Sequence, residues 1–320
     1  MKYDLFLSIC QTEVDGFMPD EKTMFANFFD QAKLADELGF GTAWIAETHL
    51  SCQVQKENPG AVIPHFTGEI GLNTDILQMA HVVFANTKNI NVGSAIRNII
   101  CNGGPIAHAE AVRTFLSLRR MSDPTSTRKL ELGFAAGRFP FSNTPYGFKP
   151  KGDFETETWE VLKNKYFQEA VEIFLRLLKG EKLSSENVSA RTLTKSDFRK
   201  EDDWHRALVA AKAQGLIAQT EAENIPLAHH WNFEKVGVIP FDAPLENLRL
   251  TIGSHDPETQ NFANTILPVG VFNLSITPPA VIEETHQRMA KTYNNMSGGW
   301  TRDLMPRTVL CFLDDAPGIS

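Results

Sequence analysis

Apolar residues follow two different spacings along the first half of the chain. Short continuous apolar runs predict buried strands, and runs with apolar residues three and four positions apart predict amphipathic helices. The predicted strands cover residues 3–10, 42–46, 90–100 and 130–136, and the predicted helices cover residues 21–38, 75–87, 105–121 and 158–178. Strands that alternate with helices in this way are typical of βαβ units and a parallel sheet.

The second half is less regular. Residues 184–224 are polar and charged, and we expect them to be an insertion that is helical over residues 203–222. Further strands are predicted at 233–239, 248–253, 269–276 and 308–313, with a helix at 280–293. This pattern gives four barrel strands before the insertion and three after it, at 248–253, 269–276 and 308–313. We therefore expect one domain over residues 1–320 that stops before an eighth strand.

The first strand distinguishes between two α/β folds. Residues 8–13 contain no glycine, so the G-x-G-x-x-G fingerprint of a dinucleotide-binding fold is missing there. The pattern favours a TIM (β/α)8-type barrel with an insertion after its fourth helix. In that fold, side chains at the carboxyl ends of the strands form the active site.

Composition narrows the functional class. The net charge of -8 argues against nucleic acid and anionic membranes as partners, because both bind basic surfaces. The four cysteines, at positions 10, 52, 101 and 311, contain no C-x-x-C pair, so we expect neither a metal site nor a disulfide framework. A reduced protein of the cytoplasm is the simplest interpretation.

The strand at residues 42–46 leads into three polar residues that can carry chemistry. Gly39 ends the preceding helix, and Glu47, Thr48 and His49 follow the strand. If this is a barrel strand, a carboxylate, a hydroxyl and an imidazole lie at the mouth. The alternative is that Glu47 and His49 form only a structural hydrogen bond at the rim.

Five segments occur in order at the spacing of barrel repeats, namely residues 35–49, 90–95, 105–121, 132–138 and 253–258. Together they resemble the bacterial luciferase-like family of flavin-dependent oxidoreductases, over residues 1–180 and 233–315. The resemblance implies a barrel that binds FMN, a homodimer, and oxidation of a small organic substrate with dioxygen. Since no dinucleotide fingerprint is present, reduced FMN would come from a separate flavin reductase.

Two alternatives to a flavin-dependent monooxygenase stay open. Some relatives use a deazaflavin for hydride transfer on the same barrel, and others bind flavin without known turnover. At the end of the strand that corresponds to residues 42–46, the family commonly has Glu-His-His. The first histidine of that motif lies near the flavin. Here Thr48 takes that position and His49 matches the second histidine. We expect His49 to move protons, because an imidazole can exchange a proton near neutral pH. Glu47 and Thr48 are expected to orient the reacting groups, since a threonine hydroxyl is a poor base.

The resemblance also implies cofactor-binding residues. Ser94 and Ala95 would let a flat ring approach the backbone, with a non-proline cis peptide near Ala95–Ile96; the alternative is an ordinary buried strand end. Asn102 would bond the pyrimidine edge of the flavin, although Asn-Gly-Gly is also a plain turn. The family often has His-Pro before the next helix, where this chain has Gly104-Pro105.

The remaining candidates follow two later strands. Ala135 would leave room for the cofactor, and Arg138 would pair with phosphate or the flavin ring unless it is simply exposed. Ser254 and His255 occupy phosphate-binding positions at a helix start, where Asp256 is expected to cap the helix. Plain capping without phosphate is the alternative.

Other segments have weaker signals. Residues 51–73 and 184–224 are candidates for covering the mouth. Most phenylalanines are expected in the core, while Phe6, Phe134, Phe139 and Phe272 could line a pocket. Residues 229–231, His-His-Trp, are interpreted as surface.

Overall fold

A computed structural model describes residues 2–9, 16–50, 75–137, 139–296, 298–309 and 311. The predicted loop at 51–73, Arg138 and part of the last predicted strand lie outside the described residues. No helix among the residues described is both long and apolar enough to cross a membrane.

The main element of the part of the chain that the structure describes is a parallel sheet. Its strands are β1 (Leu5–Leu7), β2 (Thr42–Ala46), β3 (Asn91–Asn98), β4 (Leu130–Ala135), β7 (Leu248–Ile252) and β8 (Val269–Val271). They are hydrogen-bonded in the order β1-β2-β3-β4-β7-β8, and every neighbouring pair is parallel. Connections between parallel neighbours require crossovers, which the helices supply. This confirms the predicted α/β fold.

The helices follow the strands that they connect. They are α1 (Glu21–Glu37), α2 (Ile76–Asn86), α3 (Gly104–Ser122), α4 (Pro140–Asn143, a single turn), α5 (Gly152–Lys179), α6 (Glu201–Ala213), α7 (Pro257–Ile266) and α8 (Pro279–Thr292). Helix α5 ends at Gly180, whose φ of 99° suits a glycine after a helix. It begins six residues earlier than the apolar spacing predicted.

The two faces of the sheet differ in chemistry. Ala43 and Ile45 of β2 and Leu132 of β4 are buried in the core. The alternate positions Trp44, Gly93, Glu131 and Arg249 are aligned across four strands. A Cβ on Gly93 would lie 2.4 Å from the Trp44 ring. The glycine therefore makes room for the indole on this face.

The insertion contains a second, small sheet that was not predicted. Strand β5 (Arg191–Thr194) pairs antiparallel with β6 (Asn224–Leu227). A separate cluster of buried apolar side chains joins this sheet to α6 and to the start of α5, namely Phe154, Leu193, Trp204, Ala207, Leu208, Ala211 and Ile225.

Three predicted elements of the second half need correction. Helix α6 stops before residue 222 because Gly215, with φ of 73°, follows its C-terminus. Residues 233–239 are not a strand, since only Val236 pairs there, in a single antiparallel bridge to Leu183. Strand β8 is shorter than predicted because a turn closes from Leu274 to Thr277. Arg307, one residue before the last predicted strand at 308–313, forms one parallel bridge with Asn273.

Candidate functional site

The carboxylate of Glu47 lies at the end of β2 and is fully shielded from solvent. The Glu47 N–H continues the ladder between β2 and β3 by donating to Ala95 O at 3.2 Å. One carboxylate oxygen, Oε1, lies 2.8 Å from His49 Nε2 and 3.4 Å from Arg97 Nη1. The other oxygen, Oε2, accepts from Ser94 Oγ at 2.5 Å. Three side chains from two strand ends thus converge on one acid.

These donors keep Glu47 ionised. Burial by itself would raise the pKa of Glu47, but the hydrogen bond from His49 and the charge of Arg97 outweigh it and hold this pKa below its ordinary value. An ionised carboxylate only accepts, so His49 Nε2 carries the proton and Nδ1 is left with its lone pair when the ring is neutral. Thr48 lies between the two residues and is partly exposed.

Arg97 and His108 are site residues that sequence reasoning missed. Arg97 Nε donates to His108 Nδ1 at 2.8 Å, and His108 Nε2 lies 2.8 Å from Cys101 O. Burial and the Arg97 charge lower the pKa of His108 to about 3, so its ring is neutral. Arg97 Nη1 also lies 3.6 Å from Asp75 Oδ1, which caps α2. The sequence did contain a signal for Arg97, because it is a charged residue inside an otherwise apolar predicted strand.

The predicted small-residue positions come together around Ile96. The Ala95–Ile96 peptide bond is cis, as the resemblance implied, and the strand register shifts between Ser94 and Arg97. A Cβ on Gly253 would lie 2.5 Å from Ile96 Cδ1 and 3.3 Å from Ala135 Cβ. The ends of β3, β4 and β7 therefore meet through small side chains.

Asn102 lies in the turn between β3 and α3, with a positive φ of 52°. The turn closes through a hydrogen bond from Gly104 N to Cys101 O at 3.0 Å. Asn102 therefore lies in the turn that follows β3, two residues before α3 begins.

Ser254 and His255 precede α7, as predicted. Asp256 caps this helix by accepting from Thr259 N at 2.9 Å. Although burial acts to raise the pKa of Asp256, its bonds with Thr259 hold that pKa below the usual value. Ser254 Oγ accepts from Asp256 N at 3.2 Å, and His255 Nε2 lies 3.2 Å from Asn273 Oδ1.

This donor set fits a phosphate group in one particular way. The hydroxyl of Ser254 still has its own proton to donate, and His255 carries a second ring nitrogen. The carboxylate of Asp256 already caps the helix amides, so a phosphate would rely on these two side chains. The small residues Ala135 and Gly253 next to Ile96 would let a flat ring come close to the backbone.

Residues 229–231 are not free surface, which corrects the interpretation of the His-His-Trp motif. The backbone N–H groups of His230 and Trp231 donate to Glu169 of α5 at 3.1 and 3.2 Å. Burial raises the pKa of Glu169 against the effect of these bonds. The ring of His230 packs 4.5 Å from that of Tyr166. Two carboxylate bonds therefore hold this segment on α5.

The phenylalanines predicted as pocket residues differ in position. Phe134 and Phe272 are buried, and Phe272 meets the Trp44 ring edge-on at 5.2 Å. Phe139 lies 5.4 Å from Phe141 in a stacked pair beside α4, while Phe6 is exposed. Core packing therefore explains Phe134 and Phe272.

The chain belongs to the luciferase-like monooxygenase family. The model of that family matches residues 5–200, which is more than half of the 320 residues. No curated protein sequence matches the chain.

Solved structures with this fold include enzymes of different chemistry. The monooxygenase RslO1 from Streptomyces bottropensis is 16% identical, with a TM-score of 0.62 over 98% of this chain and 72% of its own. The FMN complex of the oxygenating constituent of 3,6-diketocamphane monooxygenase from Pseudomonas putida is 11% identical, with a TM-score of 0.52 over 96% of this chain and 66% of its own.

An F420-dependent secondary alcohol dehydrogenase is similar to the same extent. It is 13% identical, with a TM-score of 0.52 over 96% of this chain and 66% of its own. The chain thus spans about two thirds of the length of these structures. At such identities the likeness shows a shared fold, which occurs both in monooxygenases and in a dehydrogenase.

Proposed function

We propose that this protein is an FMN-dependent monooxygenase that oxidises a small organic substrate with dioxygen. The observation that carries the proposal is the buried Glu47 carboxylate, which binds His49 just after the end of β2 and accepts from Ser94 of β3. Family membership supplies the flavin, and this geometry supplies a group that can move a proton next to it.

His49 is the catalytic residue of this proposal. Glu47 fixes the ring by accepting from Nε2, so the proton that moves is taken up or released at Nδ1. The hydroxyl of Thr48 orients a reacting oxygen by hydrogen bonding. Reduced FMN, when bound, supplies the electrons that activate dioxygen.

The cofactor-binding residues are those predicted from the sequence. Ser94, Ala95 and Ala135 would accept the ring, and Asn102 would bond its pyrimidine edge. Ser254 and His255 would hold the phosphate. Arg138, which lies outside the described residues, keeps its predicted role as a partner of the ring or phosphate.

The wider biology of the protein is part of the same proposal. Reduced FMN comes from a separate flavin reductase, the protein works as a homodimer in the cytoplasm, and one domain over residues 1–320 carries the site. The insertion at 184–224 is the candidate for covering the mouth.

A cofactor titration followed by an oxygen assay tests the proposal. The purified protein is titrated with reduced FMN and with the reduced deazaflavin, and bound cofactor is extracted and identified by its visible spectrum. We expect FMN to bind, and substrate-dependent oxygen uptake to follow when a flavin reductase is added. Exclusive binding of the deazaflavin would instead indicate a dehydrogenase. Flavin binding without oxygen uptake from a broad substrate panel would indicate a non-catalytic flavin protein.

A further inference from the structure

Trp231, which follows the insertion and strand β6, is held against α5 by a fixed anchor. The carboxylate of Glu169 accepts from the backbone N–H of both His230 and Trp231, and this carboxylate is almost wholly buried. The ring of His230 packs edge-on against the indole, at 4.6 Å between centroids. The position of the Trp231 side chain is therefore set by buried contacts.

The indole lies against the first residue of α3. A Cβ on Gly104 would lie 2.6 Å from Trp231 Nε1, closer than real Cβ atoms approach a neighbour. Gly104 also has a positive φ of 73°. Only glycine satisfies both conditions without displacing the indole.

This contact lies close to the candidate site. Helix α3 begins at the carboxyl end of β3, directly after Asn102 and Gly103. His108, which binds Arg97, follows Gly104 by four residues and so lies on the same face of α3, one turn further along. Trp231 therefore stands on that face, at the end nearest the β3–α3 turn.

The indole N–H of Trp231 forms no hydrogen bond with any residue that the structure describes. The ring is partly buried and packs against the core. Because the ring is not fully buried, this N–H is available to donate to a ligand. Gly103 and Gly104 have no side chain, so at this turn the indole adds a donor to the one that the Asn102 amide provides.

We propose that Trp231 binds the flavin ring, with its indole N–H donating to an acceptor atom on the edge of the ring that faces the β3–α3 turn. The inference rests on the proposed function, because it requires a flavin at the strand ends. It makes the segment after the insertion a contributor to cofactor binding, through one residue held by Glu169 and accommodated by Gly104.

The Trp231→Phe variant tests the contact, because it keeps an aromatic ring and removes the N–H. Oxidised FMN and riboflavin are titrated into the full-length protein and its variants. We expect Trp231→Phe to weaken both ligands by the same factor, about five-fold, as for the loss of one hydrogen bond. The His255→Ala variant is the matched control, and it should weaken FMN alone, because riboflavin lacks the phosphate.

Nuclear magnetic resonance gives an independent measure of the same contact. The indole N–H resonance of Trp231 is assigned by its absence in Trp231→Phe. It should shift on addition of either ligand. An unmoved resonance, unchanged affinities in Trp231→Phe, or weaker binding of FMN alone would each overturn the inference. A wild-type protein that binds neither ligand would overturn the proposed function itself, and this inference with it.

A comparison of two glycines tests the position of the indole without any cofactor. Gly215 has the same φ of 73° as Gly104, but a Cβ there would meet nothing within 4 Å. Gly104→Ala should lower the urea midpoint of unfolding more than Gly215→Ala. This excess should disappear in a Trp231→Ala background. An equal excess in both backgrounds would show that Trp231 does not lie over Gly104.

Discussion

Glu47 is an acid that the fold has removed from water and surrounded with donors. An acid in this position is stable as an anion only while its partners remain. Its lowered pKa means that it contributes stability above its unfolded pKa of about 4.5 and that this contribution is lost as the pH falls. The same anion orients His49, so the proposed proton transfer and the stability depend on one charge.

The proton-transfer role of His49 can be measured without knowing the substrate. In His49→Gln we expect reoxidation of bound reduced FMN by dioxygen to slow by about 100-fold, because the side chain can no longer exchange a proton. Stopped-flow absorbance gives this rate. Thr48→Ser keeps the hydroxyl and should stay within about two-fold of wild type. If His49→Gln reacted at the wild-type rate, His49 would have only a structural role.

The contribution of Arg97 to the free energy of unfolding should depend on pH. We expect Arg97→Met to lower the free energy of unfolding by about 3 kcal/mol at pH 8, since Glu47 would lose a cationic partner in a buried place. At pH 5 the loss should be smaller, because the pKa of Glu47 rises in the variant and protonation relieves the unpaired charge.

Urea unfolding at both pH values measures this effect. The control is Arg206→Met, which removes an exposed guanidinium that bridges Glu157 and Asp203 and should change little. An equal loss at both pH values would mean that Arg97 acts through packing alone.

At the scale of single elements, the sequence predicted correctly those features that depend only on the residues of one helix or strand. Strand β2 has the predicted bounds because all five of its residues are buried, and the Asp256 cap was found because capping is local. The β5–β6 pair was missed because each strand is only four residues long and the partners are separated by α6. Likewise, the partners of Arg97 come from three other parts of the chain, so no local pattern indicates them.

The cap of α7 gives a prediction that separates capping from cofactor binding. Asp256→Ala should cost about 1 kcal/mol of stability, as expected for an N-cap. FMN should bind at least as tightly as to wild type, because the substitution removes a negative charge near the phosphate. Urea unfolding and FMN titration measure the two effects.

Asp20, which caps α1 by accepting from Thr23 N at 2.7 Å, provides the matched control. Asp20→Ala should lower stability and leave FMN affinity unchanged. Weaker FMN binding in Asp256→Ala would identify Asp256 as part of the cofactor site.

At the scale of the whole molecule, the sheet contains a second buried acid, away from the candidate site. Glu131 pairs with Arg249 at 2.7 Å on the same face as Trp44. Burial, with a further contribution from Asp4, raises the pKa of Glu131 to about 7 although Arg249 opposes the shift. Its ionisation on folding is therefore unfavourable, and this group removes stability as the pH rises from about 4.5 to 7.

The corresponding prediction concerns global stability. Glu131→Gln should be more stable than wild type at pH 8, by about 2 kcal/mol, and the difference should vanish near pH 4. Thermal or urea unfolding across this range measures it. Glu246→Gln, at an exposed position, should show no such gain. A variant less stable than wild type at pH 8 would mean that the bond to Arg249 outweighs burial.

The separate apolar cluster of the insertion has a consequence for how the molecule opens. The cluster joins α6, β5 and β6 to Phe154 near the start of α5, and it is distinct from the main core. A segment with its own core can open as a cooperative unit while the rest of the protein stays folded. Amide hydrogens of α6 should therefore exchange with solvent together, and faster than those of β3 and β4. Trp231 packs against the main core instead, so such partial opening would leave it in place.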